Sequence, residues 1–245
     1  GSIDDVRIYN RALSAGEVAN LYRSGTAKFA VSPVNALTNG LVGYWTFDGK
    51  DTNWGTNKTN DLSGQGNTGT LTNMSTTTSP VVGKIGQGLK FDGVNDYVTF
   101  GNIHQFGTSN FSLSGWFKVN AFGTTNYLIS RTNLSTRVDY GLKVVNSTAF
   151  SFFYDDPGTP GNVYSNWTVS AMETSRWYHF VVVFSGSQGT AYINGISLGT
   201  ISTLFNNYVS TEFTFGREKT STTDSTIVYL NGSIDDVRIY NRALS

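Results

Sequence analysis

The chain has no cysteine among its 245 residues. No disulfide framework can hold it together, yet a secreted domain of this size needs none, so the absence assigns no compartment. Charge is equally scarce. Only 14% of residues are Asp, Glu, Lys or Arg, and 17 positive residues balance 17 negative ones. No basic stripe exists to neutralise phosphates, which argues against a nucleic-acid partner. The two histidines, His104 and His179, offer no metal-ligand spacing. No apolar run approaches the roughly 18 residues of a membrane span. Neither a G-x-S-x-G elbow nor a P-loop occurs.

What replaces charge is Thr, Ser, Asn and Gly, the residues of pleated surfaces and of turns that need φ > 0. Seven Asn-X-Ser/Thr triplets follow from that composition by chance. From about Leu41 onward a two-residue apolar alternation recurs, as in GLVGYWTFDG, FSLSGWFKV, WYHFVVVF and IVYLNGSIDDVRIY. Each such run reads as a strand bounded by Gly, Asn, Asp or Ser. Asn194-Gly195, between TAYI and ISLG, is the strongest hairpin signal. About a dozen short strands around an aromatic core predict an all-β, antiparallel sandwich. Residues 50–82 read as an ordered surface excursion, and a loop that long is unusual unless it is functional or tied down by something. One short helix is expected after Ser14, where Ser14 and Glu17 have capping-box spacing, Val18, Leu21 and Tyr22 form a stripe, and Gly25 follows.

GSIDDVRIYNRALS occurs twice, at residues 1–14 and again at residues 232–245. Identity over the whole stretch, with no shorter period between, points to one period of a tandem array plus an overlap. Residues 1–25 then represent the closing strand and helix of a preceding repeat, 26–39 a linker, and 40–245 the sandwich itself. The segment 1–25 is the expected contact with neighbouring copies of the chain, through peptide linkage or through strand donation between subunits.

GLVGYWTFDG, DLSGQGNTGTL, IGQGLKFDGVNDYV, FSLSGWFKV, RWYHFVVVF, AYINGISLG and IDDVRIYNRALS follow one another in the order seen in laminin-G-like domains. Over roughly residues 40–245 the chain resembles these members of the concanavalin A-like superfamily. The resemblance implies a jelly-roll sandwich from an extracellular or cell-surface protein, often repeated in tandem, frequently calcium-stabilised and sometimes sugar-binding. The fold hosts lectins, glycosidases and spacers alike, so function must be argued from residues.

Glycosidases of the superfamily carry carboxylates close together on one strand, and general-acid chemistry needs two carboxyl groups across the scissile bond. Glu17, Glu173, Glu212 and Glu218 are scattered, and adjacent Asp155 and Asp156 point to opposite faces of a strand. An enzyme is therefore not expected. In related domains a structural calcium ion ties the first strand to the last. The positions here that match are Asp48 in WTFDG and Asp235 in SIDDVRIY, with Asp236 as the alternative. A strict two-residue period puts Asp235 with Val237 and Ile239, and Asp236 with Arg238 and Tyr240. The competing reading is that these carboxylates accept backbone N–H bonds in turns. For a ligand rim, FFYDDPGTPGNVYSNW supplies Tyr154, Asp155, Tyr164 and Trp167. Asp96, in the turn Asp92-Gly93-Val94-Asn95-Asp96, is a further candidate, although a turn role suffices there. Trp45, Trp116 and Trp177 sit in apolar strand contexts and are expected in the core. Two functions are consistent with all this: a calcium-stiffened repeat of a surface fibre, stalk or adhesin, or a lectin-like module that binds glycans through avidity.

Overall fold

The alternating runs form strands because β-branched and aromatic residues at every second position leave one face to bury and one to solvate. The computed structural model describes Ser14 and residues 37–106, 109–123, 125–133, 137–155, 162–202, 212–219 and 227–245. The helix expected after Ser14, the segment 1–25 and most of the linker lie outside the described residues. The chain divides into two units, Gly1–Asn39 and Gly40–Ser245, and the described strands all lie in the second.

In chain order these are β1 (Leu41–Trp45), β2 (Thr52–Asn53), β3 (Lys58–Thr59), β4 (Gly69–Thr72), β5 (Pro80–Val82), β6 (Gln87–Asp92) and β7 (Tyr97–Thr99). They continue with β8 (Phe111–Val119), β9 (Asn126–Asn133), β10 (Arg137–Asn146), β11 (Ala149–Asp155), β12 (Asn162–Thr168) and β13 (Tyr178–Ser185). The last are β14 (Gln188–Ile193), β15 (Ile196–Ser202), β16 (Glu212–Phe215), β17 (Arg217–Lys219), β18 (Ile227–Tyr229) and β19 (Asn231–Tyr240). Among the described residues, the first sheet runs β15-β14-β13-β8-β19-β6-β5, with β1 also paired to β19. The second runs β12-β11-β10-β9-β16-β7-β4-β3-β2. Every pairing is antiparallel, as the sandwich reading expects.

The inner faces enclose one aromatic core. Phe111, Phe117, Phe150, Phe152, Phe180 and Phe184 are fully or almost fully buried, and Trp45 stands over Phe100 at 4.5 Å. Burial of each such ring contributes about 1.5–3 kcal/mol relative to leaving it in water. The Asn194-Gly195 hairpin forms as expected, with φ of 50° and 78° at the two turn residues. Residues 50–82 are less irregular than their composition suggests, since β2 to β5 lie within them. Asp61 accepts the Tyr44 N–H at 2.9 Å, and Asn67 donates to the Val42 carbonyl at 2.8 Å, so the excursion is tied to β1.

One departure from strict alternation matters for function. Along β19 and β8, Ile234 pairs with Phe117 and Asp235 with Trp116, but the next pair is Arg238 with Ser114. Asp236, at φ 48°, is the extra residue of a β-bulge. The bulge keeps both Ile234 and Val237 in the core while turning Asp235 to the outer face with Trp116. The expectation that Asp235 shares a face with Val237 and Ile239 is thereby corrected.

Candidate functional site

Asp235 lies on the outer face of the first sheet, beside the hairpin that joins β5 to β6. Its Oδ2 accepts the N–H groups of Lys84 and Ile85 at 2.7 and 2.8 Å. Asp48 grips the same hairpin from the other side, its Oδ1 accepting the Gln87 N–H at 2.8 Å. Gly86, at φ 65°, is required there because a Cβ would fall 2.2 Å from Asp48 Oδ1. Asp235 is fully buried, and no hydrogen-bond partner faces its Oδ1. Burial, opposed by the two N–H bonds and reinforced by the Asp236 charge, pushes its carboxyl up to about 6. Asp236 takes a different role: its two oxygens meet the Arg238 guanidinium at 3.0 and 3.2 Å. That guanidinium lies 4.5 Å from the Tyr44 ring centroid and donates to the Tyr44 hydroxyl at 3.1 Å.

Calcium requires six to eight oxygen ligands. Asp48 and Asp235 instead meet backbone N–H donors, and Asp236 meets a cation. Asp235 Oδ1 is left without a partner, and that oxygen alone falls short of the calcium site that the resemblance implies. Among the described residues, no three His, Cys, Asp or Glu side chains converge as metal ligands.

The hairpin that Asp235 holds carries Lys84 to the rim of a groove. This open depression of about 680 Å³ is lined by Lys84, Trp116, Ser175, Arg176, Trp177, His179 and Asn194. Lys84 Nζ lies 5.1 Å above the Trp116 ring, and Lys118 Nζ lies 5.0 Å above the Trp177 ring. Such contacts stabilise by about 0.5–1 kcal/mol where exposed. His179 packs 4.8 Å from Trp116 and faces Ser114 Oγ at 3.3 Å, and burial lowers its pKa. Asn194 is fixed by the hairpin turn, its Oδ1 accepting the His179 N–H at 2.9 Å. Arg176 pairs with Glu173 at 3.2 Å, both largely exposed. Trp116 and Trp177 are thus half-buried groove walls and not core residues, which corrects the expectation for both; Trp45 is core. The alternation of FSLSGWFKV held the signal: Phe117 faces inward, so its neighbour Trp116 must face outward.

The expected ligand rim is divided by the same rule. Tyr154 and Trp167 face inward, packed with Phe152 and Phe150 at 6.1 and 6.0 Å. The Trp167 indole N–H donates to the Gly199 carbonyl at 3.1 Å. Asp155 ends β11 opposite Asn162, and its side chain lies outside the described residues. Tyr164 points outward from β12 and is 46% exposed. Its ring meets the Lys143 ammonium at 3.8 Å, with Tyr127 and Phe153 completing a box at 5.3 and 5.6 Å. Burial, opposed by the Glu218 charge, lowers the Lys143 pKa to about 8. Asp96 belongs to neither group. It caps the turn between β6 and β7, its Oδ2 accepting the Asp92 N–H at 3.1 Å, and burial beside Asp92 pushes its carboxyl up to about 6.

A family model described as "Concanavalin A-like lectin/glucanases superfamily" matches residues 92–245, more than half of the chain. The chain is a laminin-G-like member of that superfamily. No curated protein sequence matches it. Among solved structures it is similar to a mutant of Trypanosoma rangeli sialidase displaying trans-sialidase activity, with TM-score 0.61 and 17% identity, covering 94% of this chain and 36% of that one. It is also similar to the binding domain of botulinum neurotoxin DC in complex with rat synaptotagmin II, with TM-score 0.59 and 13% identity, covering 85% of this chain and 50% of that one. A third likeness is to botulinum neurotoxin type C, whose cell entry is dependent upon interaction with two ganglioside molecules (TM-score 0.58, 14% identity, covering 85% of this chain and 49% of that one). This laminin-G-like chain therefore spans a little over a third of the sialidase and about half of the toxin chains.

The sialidase likeness overturns the expectation that the chain is not an enzyme. The fold recurs within enzymes and is compatible with glycosidase activity. The physical flaw lay in testing carboxylates only against near neighbours in sequence. Asp48 and Asp235 show how this topology brings distant ones to a single hairpin.

Proposed function

We propose that the chain is a carbohydrate-binding module of an extracellular or cell-surface protein, reading glycans in the Trp116–Trp177 groove. The observation that carries this reading is the pair of half-buried indoles in one open groove, with an ammonium group over each ring. Sugars present apolar C–H faces to rings and hydroxyls to polar groups, and the groove supplies Ser175, His179 and Asn194 for the latter. Lys84 and Arg176 are among the lining side chains and no carboxylate is, so a sugar bearing carboxylate or sulfate is favoured over a neutral one. The ganglioside-dependent toxin likeness supports a glycan ligand on this fold. Titration of acidic and neutral oligosaccharides against the protein tests the reading. Trp116→Ala and Trp177→Ala should each weaken the preferred glycan about tenfold or more, roughly 1.4 kcal/mol. Equal affinity of both variants and parent would dismiss the groove.

The repeated fourteen residues favour a second, compatible role as one bead of an adhesive surface fibre, in which avidity multiplies weak sites. Electron microscopy of the native molecule should then show a regular string of beads. A single isolated bead would remove this role.

A further inference from the structure

Lys143 is a buried amine that the groove does not use, and it lies on the other sheet. Leu142 and Val144 face the core, so alternation turns Lys143 to the outer face of β10. Local features of three strands build a box around it. Between β10 and β9, Leu142 pairs with Ile129 but Lys143 pairs with Tyr127, an irregularity that sets Tyr127 directly opposite the lysine. Gly141 leaves room for Phe153, since a Cβ there would lie 2.2 Å from that ring's Cζ. Tyr164, paired with Phe153, supplies the third wall from β12, the last strand of this sheet among the described residues. Tyr127 and Phe153 meet edge to face at 5.3 Å, and Val228 of β18 packs against them. The Lys143 ammonium is 3.8 Å from the Tyr164 ring centroid and 5.3 and 5.6 Å from the other two. Glu218 of β17 is fully buried, and its charge acts on both Lys143 and Tyr127.

Three π faces and a carboxylate favour positive charge inside the box, whereas exclusion of water favours a neutral amine. Exclusion of water wins, and the Lys143 pKa falls to about 8. About a tenth of this amine is then free at pH 7, against roughly one part in 2,500 for an ordinary lysine. A free amine attacks electrophilic carbon, and the box decides which product it keeps. Acyl transfer would leave a neutral amide and forfeit the cation–π contacts. Condensation with an aldehyde keeps the charge. The nitrogen adds to the carbonyl carbon and the adduct loses water, so that ammonium and aldehyde together give a protonated imine and one water. We propose that Lys143 is a capture site for small aldehydes, held as protonated imines between Tyr127, Phe153 and Tyr164. Tyr164, the most exposed of the three walls, is the side from which the aldehyde enters. The proposal is independent of the glycan reading, which concerns the first sheet.

The test treats the full chain with benzaldehyde and cyanoborohydride, which reduces protonated imines to stable benzylamines, and maps the labelled peptides. Lys90, exposed on β6, is the internal reference. At pH 7 Lys143 should be labelled about tenfold or more faster than Lys90, since its larger free-amine fraction outweighs its lower nucleophilicity. With an acetyl donor, N-hydroxysuccinimide acetate, the same ratio should be roughly threefold smaller or less, because the amide product loses the charge. Tyr164→Ser removes one wall at an exposed position and should lower the aldehyde ratio by roughly threefold or more. The proposal is overturned if Lys143 is labelled no faster than Lys90, or if the acetyl donor shows the same preference as the aldehyde. It is equally overturned if Tyr164→Ser leaves the aldehyde ratio unchanged or raises it, since the ring would then only shield the amine.

Discussion

Asp235 Oδ2 accepts the Lys84 N–H at 2.7 Å across 151 residues of chain, and through that bond the last strand sets where the Lys84 ammonium lies over Trp116. A residue expected to hold a metal here accepts two backbone N–H groups of the hairpin that carries Lys84.

Its ionisation should be visible in stability. The folded pKa of Asp235, about 6, lies above the ordinary aspartate value, so the protonated form is favoured by folding. The stabilisation is complete below the unfolded pKa and is lost as pH rises through about 6. Between pH 7 and pH 5 the parent should gain roughly 1 kcal/mol from this group. In Asp235→Asn the amide oxygen can still accept the Lys84 and Ile85 N–H groups, while the titrating charge is gone. Parallel denaturant titrations at both pH values should show the variant lacking that share of the gain. Asp96 and Asp139, raised to about 6, contribute with the same sign, and His104, lowered to about 4 by burial, opposes them, so the difference between variant and parent is the quantity to read. An unchanged difference at the two pH values would refute the assignment.

Gly86 makes a sharper test of the hairpin. Alanine there must adopt φ 65° and place Cβ against Asp48 Oδ1. Gly86→Ala should cost about 1–3 kcal/mol of stability and should displace Lys84, weakening acidic glycans more than neutral ones. If the melting temperature falls while the preference for acidic glycans is kept, Lys84 does not select charge.

The carboxylates around this hairpin answer N–H donors and a guanidinium, and the unpartnered Asp235 Oδ1 is far fewer than the six to eight oxygens calcium takes. EDTA should leave the melting temperature of the parent unchanged. A clear fall, reversed by calcium, would show that Asp48 and Asp235 exchange their N–H partners for an ion.

The strands, the antiparallel sandwich and the Asn194-Gly195 hairpin were legible because each follows from a two-residue period or from a positive-φ requirement. The outer-face groove was legible in principle, since Trp116 sits one residue from the inward Phe117. Apolar composition masked it: an indole in a strand of Phe, Leu and Val reads as core until faces are assigned. Tyr154, Tyr164 and Trp167 were grouped by nearness in sequence, whereas opposite faces of β11 and β12 separate them. The bulge at Asp236 could not be read, because no residue type announces it and one inserted position reverses the face of everything before it.

The same blindness to distant pairing hid an ion pair inside the second sheet. Arg131 and Asp139, on neighbouring β9 and β10, are buried together and in salt-bridge contact. Arg131 also donates to the Ile103 carbonyl at 2.9 Å and to Asn102 Oδ1 at 2.7 Å, so it pins the loop after β7. Burial pushes the Asp139 carboxyl up to about 6 despite the guanidinium, a sign that desolvation outweighs attraction at this pair. Arg131→Met leaves Asp139 buried without its cation and should cost about 3–5 kcal/mol, or roughly 6–20 °C of melting temperature in a chain of this size. Arg131→Met combined with Asp139→Leu removes both charges and should recover most of that loss. If the double variant is no more stable than the single one, the pair is a net source of stability and the desolvation argument fails.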